Sequence, residues 1–253
     1  MRFASLGSGS RGNALVAEVG RTRVLLDCGF NVRETVLRLA RLGIEPESLS
    51  GIVITHEHND HVGGVARFAA RYGIPVWMTH GTLRAAGAMG ETRVSVFDPH
   101  QAFAVGDLRV EPFPVPHDAA EPVQYVLGDG ARRLGVLTDI GEPTAHVAAV
   151  LDGCDALVLE CNHDAGMLAG GPYSPHLKRR IAGRLGHLEN GQTAELLSRL
   201  DRSRLHHLIA AHLSETNNTP DLARAALAGV LGCSPEWVGV AGQDSGFAWR
   251  DIG

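Results

Sequence analysis

Cysteine is scarce, and none of it is paired in sequence. Cys28, Cys154, Cys161 and Cys233 are the only four in 253 residues, with no Cys-x-x-Cys spacing. That argues against a thiol redox motif or a zinc ribbon, and a chain this long does not need disulfide staples. Aromatic residues are also few, at 5%. Trp77, Trp237 and Trp249 do not alternate with basic residues, so no stacking platform for single-stranded nucleic acid is visible. There is no excess of positive charge: the net charge is −5. This excludes a global footprint for polyanions and leaves a local one open. No apolar run reaches the ~20 residues of a membrane span. The opening Met1-Arg2-Phe3-Ala4-Ser5-Leu6-Gly7 has no apolar core of a signal peptide. The expectation is a cytoplasmic protein with free thiols and no membrane partner.

What is present is a core-forming, turn-rich chain, 44% hydrophobic with 31 glycines. Strands are expected at residues 2–8, 14–18, 23–27, 52–55, 74–78, 93–97, 102–105, 108–113, 123–127, 132–137, 156–160, 205–211, 237–241 and 246–249. Helices are expected at 31–42, 62–71, 81–88, 144–151, 175–185, 191–200 and 220–231. Asn31 with Glu34 matches a capping box. The glycine-rich Gly7-Ser8-Gly9-Ser10-Arg11-Gly12-Asn13 lacks the Gly-Lys-Ser/Thr ending of a phosphate-cradling loop. No linker, low-complexity segment or sequence repeat divides the chain. One α/β domain over residues 1–253, two sheets covered by helices, fits this order.

The chain is organised around His56-Glu57-His58-Asn59-Asp60-His61. Four potential metal ligands lie in these six residues. They follow the apolar β-branched run Gly51-Ile52-Val53-Ile54-Thr55 and precede a helical pattern, so they sit where α/β proteins place chemistry, at a strand-to-helix loop. His56 and His58 are two apart and can project together from extended backbone. Asp60 and His61 come as the chain turns. Three other strand ends each offer one ligand: His117, Asp139 and His212. Singly, each reads as an ordinary loop residue; jointly they complete a seven-ligand set. His56, His58 and His117 would hold one divalent ion. Asp60, His61 and His212 would hold a second, with Asp139 bridging. Zinc, manganese and iron all suit this mixture of imidazole and carboxylate. Asp27, closing Val24-Leu25-Leu26, reads either as an anchor behind the metal loop or as a turn carboxylate.

His56-x-His58-x-Asp60-His61, followed by His117, Asp139 and His212, resembles the metallo-β-lactamase superfamily along nearly the whole chain. Within it the sequence is similar to the small bacterial YycJ/WalJ type. Beyond the ligands, Gly7-Ser8-Gly9-Ser10-Arg11-Gly12-Asn13, Glu160-Cys161-Asn162-His163-Asp164, Gly186-His187-Leu188-Glu189-Asn190 and Ala211-His212-Leu213-Ser214-Glu215-Thr216-Asn217-Asn218 carry that similarity. The resemblance implies a four-layer αββα sandwich, two mixed β-sheets flanked by helices, with two divalent metal ions at the sheet edges. It implies a phosphodiesterase or nuclease, with DNA rather than RNA as substrate and 5′-to-3′ exonuclease action. Hydroxyacylglutathione hydrolases share the seven ligands, so a metallo-thioesterase of the glyoxalase II type is the alternative. The pair His187 and His212 resembles the tRNA 3′-processing nucleases and favours phosphoryl transfer. Glu189 departs from that pattern, which often has Ser there.

The expected chemistry is attack on phosphorus by a hydroxide between the two ions. Asp60 would orient it as well as bind metal. His187 would donate a proton to the leaving oxygen or bind the phosphate, with Glu160 orienting its ring. Asn162 and His163 are candidate substrate contacts. Lys178 and Arg179, on a basic face with Arg180 and Arg184, read either as a solvated surface or as a grip on flanking phosphates.

Overall fold

The structure, a computed structural model, describes residues 1–253. Strands β1 (Arg2–Gly7), β2 (Ala14–Val19), β3 (Thr22–Leu26), β4 (Gly51–Val53), β5 (Val76–Met78) and β6 (Val94–Val96) lie side by side in one sheet. Strands β7 (Phe103–Val105), β8 (Leu108–Pro114), β9 (Val123–Gly128), β10 (Arg133–Leu137), β11 (Ala156–Glu160), β12 (His207–Ala211) and β13 (Gly239–Val240) make the second. The last strand, β14 (Phe247–Asp251), crosses back to pair with β1, so each sheet has seven strands.

Strand alternation explains the layering. Along β2 and β3, Leu15, Ala17, Val24 and Leu26 face the second sheet, while Val16 and Leu25 face outward. Both faces are buried, which is why these strands read as unbroken apolar runs. The inter-sheet core draws on both halves of the chain, joining Phe3, Val24 and Val53 to Tyr125, Val136 and Val158. Outside the first sheet pack α1 (Val32–Arg41) and α3 (Val65–Tyr72), through Leu39 and Phe68. Outside the second pack α5 (Ala145–Leu151), α8 (Asn190–Ser198) and α9 (Pro220–Leu231), through Val147, Leu197 and Leu227. The result is the expected αββα sandwich of two mixed sheets.

The two sheets repeat one plan. In each, three antiparallel pairings are followed by three parallel ones. Parallel neighbours need crossovers, and α1, α3, α5, α8 and α9 lie on them. The strand order therefore repeats although the sequence shows no repeat.

Four expectations need correction. The helix read at 62–71 is two: α2 (Asn59–Val62) and α3, broken at Gly63-Gly64. A Cβ on Gly64 would lie 1.9 Å from the Phe30 carbonyl oxygen, so this close approach requires glycine. The loop before Pro172 contains a helix, α6 (Ala165–Gly170), capped by the Asp164 carboxylate accepting from Met167 N at 2.8 Å. The basic helix α7 (Pro175–Ile181) ends four residues early, because the chain folds back and His187 N donates to the Ile181 carbonyl. The capping box at α1 is half made. Asn31 accepts from Glu34 N, but Glu34 turns its carboxylate to Arg38. The remaining helix, α4 (His80–Ala86), follows β5. No helix is long and apolar enough to cross a membrane.

Candidate metal centre

The seven ligand candidates arrive from four strand ends, after β4, β8, β10 and β12, on one edge of the sandwich. Two of them, and the supporting residue Asp27, have an unusual backbone. Asp27, Asp139 and His212 have φ of 60°, 55° and 53°, and no other non-glycine residue in the chain has positive φ. Such conformations are disfavoured for residues with a Cβ and persist where surrounding structure imposes them. All three close a strand beside the cluster. Asp27 ends β3 and Asp139 follows β10, which is the same place in the plan common to the two sheets.

The structure brings the predicted residues together in two groups. The ligand atoms of His56, His58 and His117 lie within 4.8 Å of one another, as do those of Asp60, His61, Asp139 and His212. A third group overlaps the second, joining Asp139 and His212 to Glu160 and His187. His58 Nδ1 and His117 Nε2 face each other at 3.3 Å. Asp139 Oδ2 is 3.1 Å from His61 Nε2, and Asp60 Oδ2 is 3.5 Å from His212 Nε2.

Five buried side-chain polar atoms in the protein have no hydrogen-bond partner, and three of them are His56 Nε2, His212 Nε2 and Asp139 Oδ2. The short approach between Asp139 and His61 lacks the alignment of a hydrogen bond. Unpaired buried polar atoms are rare because each costs desolvation without compensation. Two sets of nitrogen and oxygen donors, with unsatisfied atoms in both, fit divalent cations.

Surrounding residues hold the ligands in place. Asp27 accepts from Thr55 N and Thr55 Oγ1 at 2.8 and 2.9 Å, and its Oδ2 is 2.8 Å from His61 Nδ1. His117 Nδ1 is held by the Gly186 carbonyl at 3.0 Å. Glu160 is fully buried. Its Oε1 receives His187 Nδ1 at 2.8 Å and His212 Nδ1 at 3.1 Å, while Oε2 accepts from Ile140 N and Leu188 N. Fixing one ring nitrogen leaves the other free to act.

The two groups differ electrostatically. Burial pushes His56 and His117 below the ordinary imidazole value, with neighbouring histidines adding to the effect. They are neutral, ready-made donors. Burial also opposes protonation of His61 and His212. There the carboxylates of Asp139, Asp27, Asp60 and Glu160 outweigh it, and His212 is pushed up to about 10. The same pairing, against burial, holds Asp60 and Asp139 well below the usual carboxylate range. Protons on the second group thus balance charge that a cation would otherwise balance.

A cleft of about 190 Å³ opens over the cluster, lined by His58, Asp60, Asp139, His187 and His212 together with Ser10, Asp118, Arg180 and others. His187 is part-exposed and sits in its wall. Asn162 and His163 are not in the lining. They are buried behind the ligands, where Asn162 Nδ2 donates to the His212 carbonyl. Lys178 donates to the Ala169 carbonyl and Arg179 is exposed elsewhere, so the cationic residue of that helix at the cleft is Arg180. Glu189 is the N-cap of α8, and its N–H donates to Gln192 Oε1. Sequence reasoning missed Asn13, whose Nδ2 is 3.1 Å from both Asp60 Oδ2 and His61 Nε2. It also missed Ser8, whose hydroxyl accepts from His212 N at 2.9 Å. Their one signal was the glycine-rich loop that holds them. Asp118, next to His117, was missed as well.

The beta-lactamase superfamily domain matches residues 22–209. The chain is 34% identical over 235 residues to exodeoxyribonuclease YycJ of Bacillus anthracis, covering 91% of this chain and 89% of that one. It is 32% identical over 245 residues to exodeoxyribonuclease WalJ of Streptococcus pneumoniae, covering 94% and 91%. Its fold matches the metallo-beta-lactamase fold protein YhfI of Bacillus subtilis with a TM-score of 0.76 at 15% identity, over 98% of each chain. The chain belongs to the metallo-β-lactamase superfamily, and within it to the group of YycJ-like and WalJ-like hydrolases.

Proposed function

We propose that this chain is a two-metal phosphodiesterase that degrades DNA, removing nucleotides from the 5′ end. The observation that supports it most is the position of Asp139 between the two ligand groups, with Oδ2 3.1 Å from His61 Nε2 and Oδ1 4.0 Å from His117 Nε2, beneath one open cleft that has His187 in its wall. Similarity to two exodeoxyribonucleases over nine-tenths of the chain points to the substrate. We take residues 1–253 as one domain, since both halves build the inter-sheet core. We place the reaction in the cytoplasm, where the four free cysteines stay reduced.

His56, His58 and His117 would hold one ion. Asp60, His61, Asp139 and His212 would hold the other, with Asp139 between them. Bound zinc or manganese, or iron, supplies water activation near neutral pH and neutralises charge on the phosphoryl group. The chain's own residues do the rest. Asp60, fixed by Asn13, orients the attacking water. Glu160 accepts from His187 Nδ1, which leaves Nε2 to protonate the leaving oxygen. Asp27 and Glu160 keep the imidazoles of His61 and His212 in register from behind.

The test uses protein reloaded with Zn²⁺ or Mn²⁺. Bis(p-nitrophenyl) phosphate is hydrolysed, and 5′-labelled DNA releases its label first. Asp60→Ala and His187→Ala each lower kcat by about 10²-fold or more. Thioester turnover with no phosphodiester turnover would overturn the proposal in favour of an acyl hydrolase.

A further inference from the structure

We propose that Arg180 is the contact for a DNA phosphate flanking the one being cut, and that Asp118 holds this arginine until a substrate strand displaces it. The inference rests on the nuclease reading above.

The cleft has acidic walls. Asp60, Asp118 and Asp139 line it, and Arg180 is its single permanently charged cation. A strand of phosphates entering such a cleft needs at least one fixed positive partner besides the ions. Helix α7 presents that partner by spacing. Leu177, Arg180 and Ile181 are three and four residues apart and share the face that lines the cleft. Of the other basic residues of the segment, Lys178 turns to the Ala169 carbonyl and Arg184 to Glu142, and Arg179 is exposed outside the cleft lining.

Arg180 is held at the mouth by one oxygen. Its Nε and Nη2 both contact Asp118 Oδ2, at 2.8 and 2.7 Å, and the guanidinium side chain remains 60% exposed. An exposed ion pair of this kind is weak, because water screens it and two side chains are immobilised to make it. A phosphate offers the guanidinium fork two oxygens instead of one, the geometry that arginine binds best. Exchange of Asp118 for phosphate therefore runs in the substrate's favour. Asp118 also stays near the ligands without Arg180, since its N–H is fixed to the Leu185 carbonyl and its Oδ1 lies 3.5 Å from His117 Nε2. His187 is the deeper group, only 22% exposed. The scissile phosphate belongs beside it, and Arg180, further out, meets the neighbour.

The experiment measures binding and turnover separately on the metal-loaded protein. Binding uses a fluorescent single-stranded oligonucleotide with phosphorothioate linkages, followed by anisotropy across a salt series. Arg180→Ala raises Kd about tenfold and reduces the slope of log K against log salt by about 0.7, the change for one lost phosphate contact on a single strand. Arg180→Lys restores the slope but only part of the affinity, because charge returns without the fork. Asp118→Asn lowers Kd about threefold by removing the competitor. In turnover, Arg180→Ala loses at least about tenfold more on DNA, mainly in KM, than on bis(p-nitrophenyl) phosphate, which has no second phosphate. An unchanged salt slope, or equal losses on the two substrates, overturns the assignment of Arg180. An unchanged or higher Kd for Asp118→Asn overturns the exchange. If the parent protein binds the oligonucleotide but cleaves no phosphodiester, the nuclease reading fails while the Arg180 contact is still read from Kd and slope. If it binds none, both fail.

Discussion

Glu160 concentrates more of this protein's chemistry than any other residue outside the ligand set. One buried carboxylate serves two histidines and two backbone N–H groups. Burial raises its pKa, but His187 and His212 outweigh that and bring it to about 2. A folded value below the ordinary 4.5 means its stabilisation is complete above about pH 4.5 and is lost as pH falls through about 2. Glu160→Gln preserves shape and loses the charge. We expect about 3 kcal/mol of destabilisation at pH 7, read by denaturant unfolding, and a flatter stability curve between pH 4.5 and 2. The same carboxylate raises the His187 pKa against burial. An imidazolium that donates a proton stops working as pH rises through its pKa, so in Glu160→Gln the alkaline limb of the pH–rate profile moves to lower pH. An unmoved limb would remove His187 from the proton-donor role. The pairing of Glu160 with His187 was legible through the family resemblance, but its bonds to Ile140, Leu188 and His212 were not, because those partners meet it only in the fold.

Among the elements, the four-residue helix α2 is closely set against its neighbours. It delivers Asp60 and His61, and its position is fixed by contacts with the segment after β3. Cys28 N donates to the His61 carbonyl at 2.8 Å, and Gly64 N donates to the Cys28 carbonyl at 2.8 Å. Gly64 has no room for a methyl group beside the Phe30 carbonyl. Gly64→Ala should therefore shift α2 away from β3, cost about 1–3 kcal/mol, and lower metal content measured by elemental analysis. Normal metal content with normal stability would show that the segment yields. A second close approach shapes the other wall. A Cβ on Gly186 would lie 2.1 Å from the Ile181 carbonyl oxygen, so the return from α7 that presents His187 needs glycine. Local pattern reads α9 to the residue, since Thr219, Pro220 and Gly232 mark both ends. It overextends α7 because the turn back is set by contacts, not propensity.

For the whole molecule, the centre lies where two sheets of the same plan meet, and neither sheet supplies a full set alone. The first contributes His56, His58, Asp60 and His61; the second contributes His117, Asp139 and His212. Bound ions would therefore tie the two sheets together. Chelation should lower Tm by about 5–10 °C per ion bound at a hundred times its Kd, reversed by Zn²⁺, as scanning calorimetry would show. In the metal-free protein the surrounding carboxylates raise His61 and His212 and so favour a proton on each. Because the folded value of His212 is raised to about 10, its stabilisation is present below about 6.5 and lost as pH rises through 10. Ion binding must expel these protons, so titration calorimetry at pH 7 in buffers of different ionisation heat should show proton release, and affinity should rise with pH. No release would mean that the second group does not take a cation.

The sequence by itself determined most of the strands, since short apolar runs rich in β-branched residues and bounded by turns favour strands buried on both faces. It also determined the dense run His56-Glu57-His58-Asn59-Asp60-His61, because ligands two to five residues apart are neighbours in any conformation. Tertiary structure decided the rest. His117, Asp139 and His212 are each about fifty residues or more from that run, and only sheet pairing and three left-handed strand ends bring them to it. The basic run marks Arg180 and the glycine-rich loop contains Asn13, but neither pattern says that Arg180 rather than Lys178 or Arg179 reaches the cleft, or that Asn13 and Asp118 meet the ligands. Their roles depend on which way a side chain points across a cleft built from both sheets, and that is settled by packing rather than by composition or period.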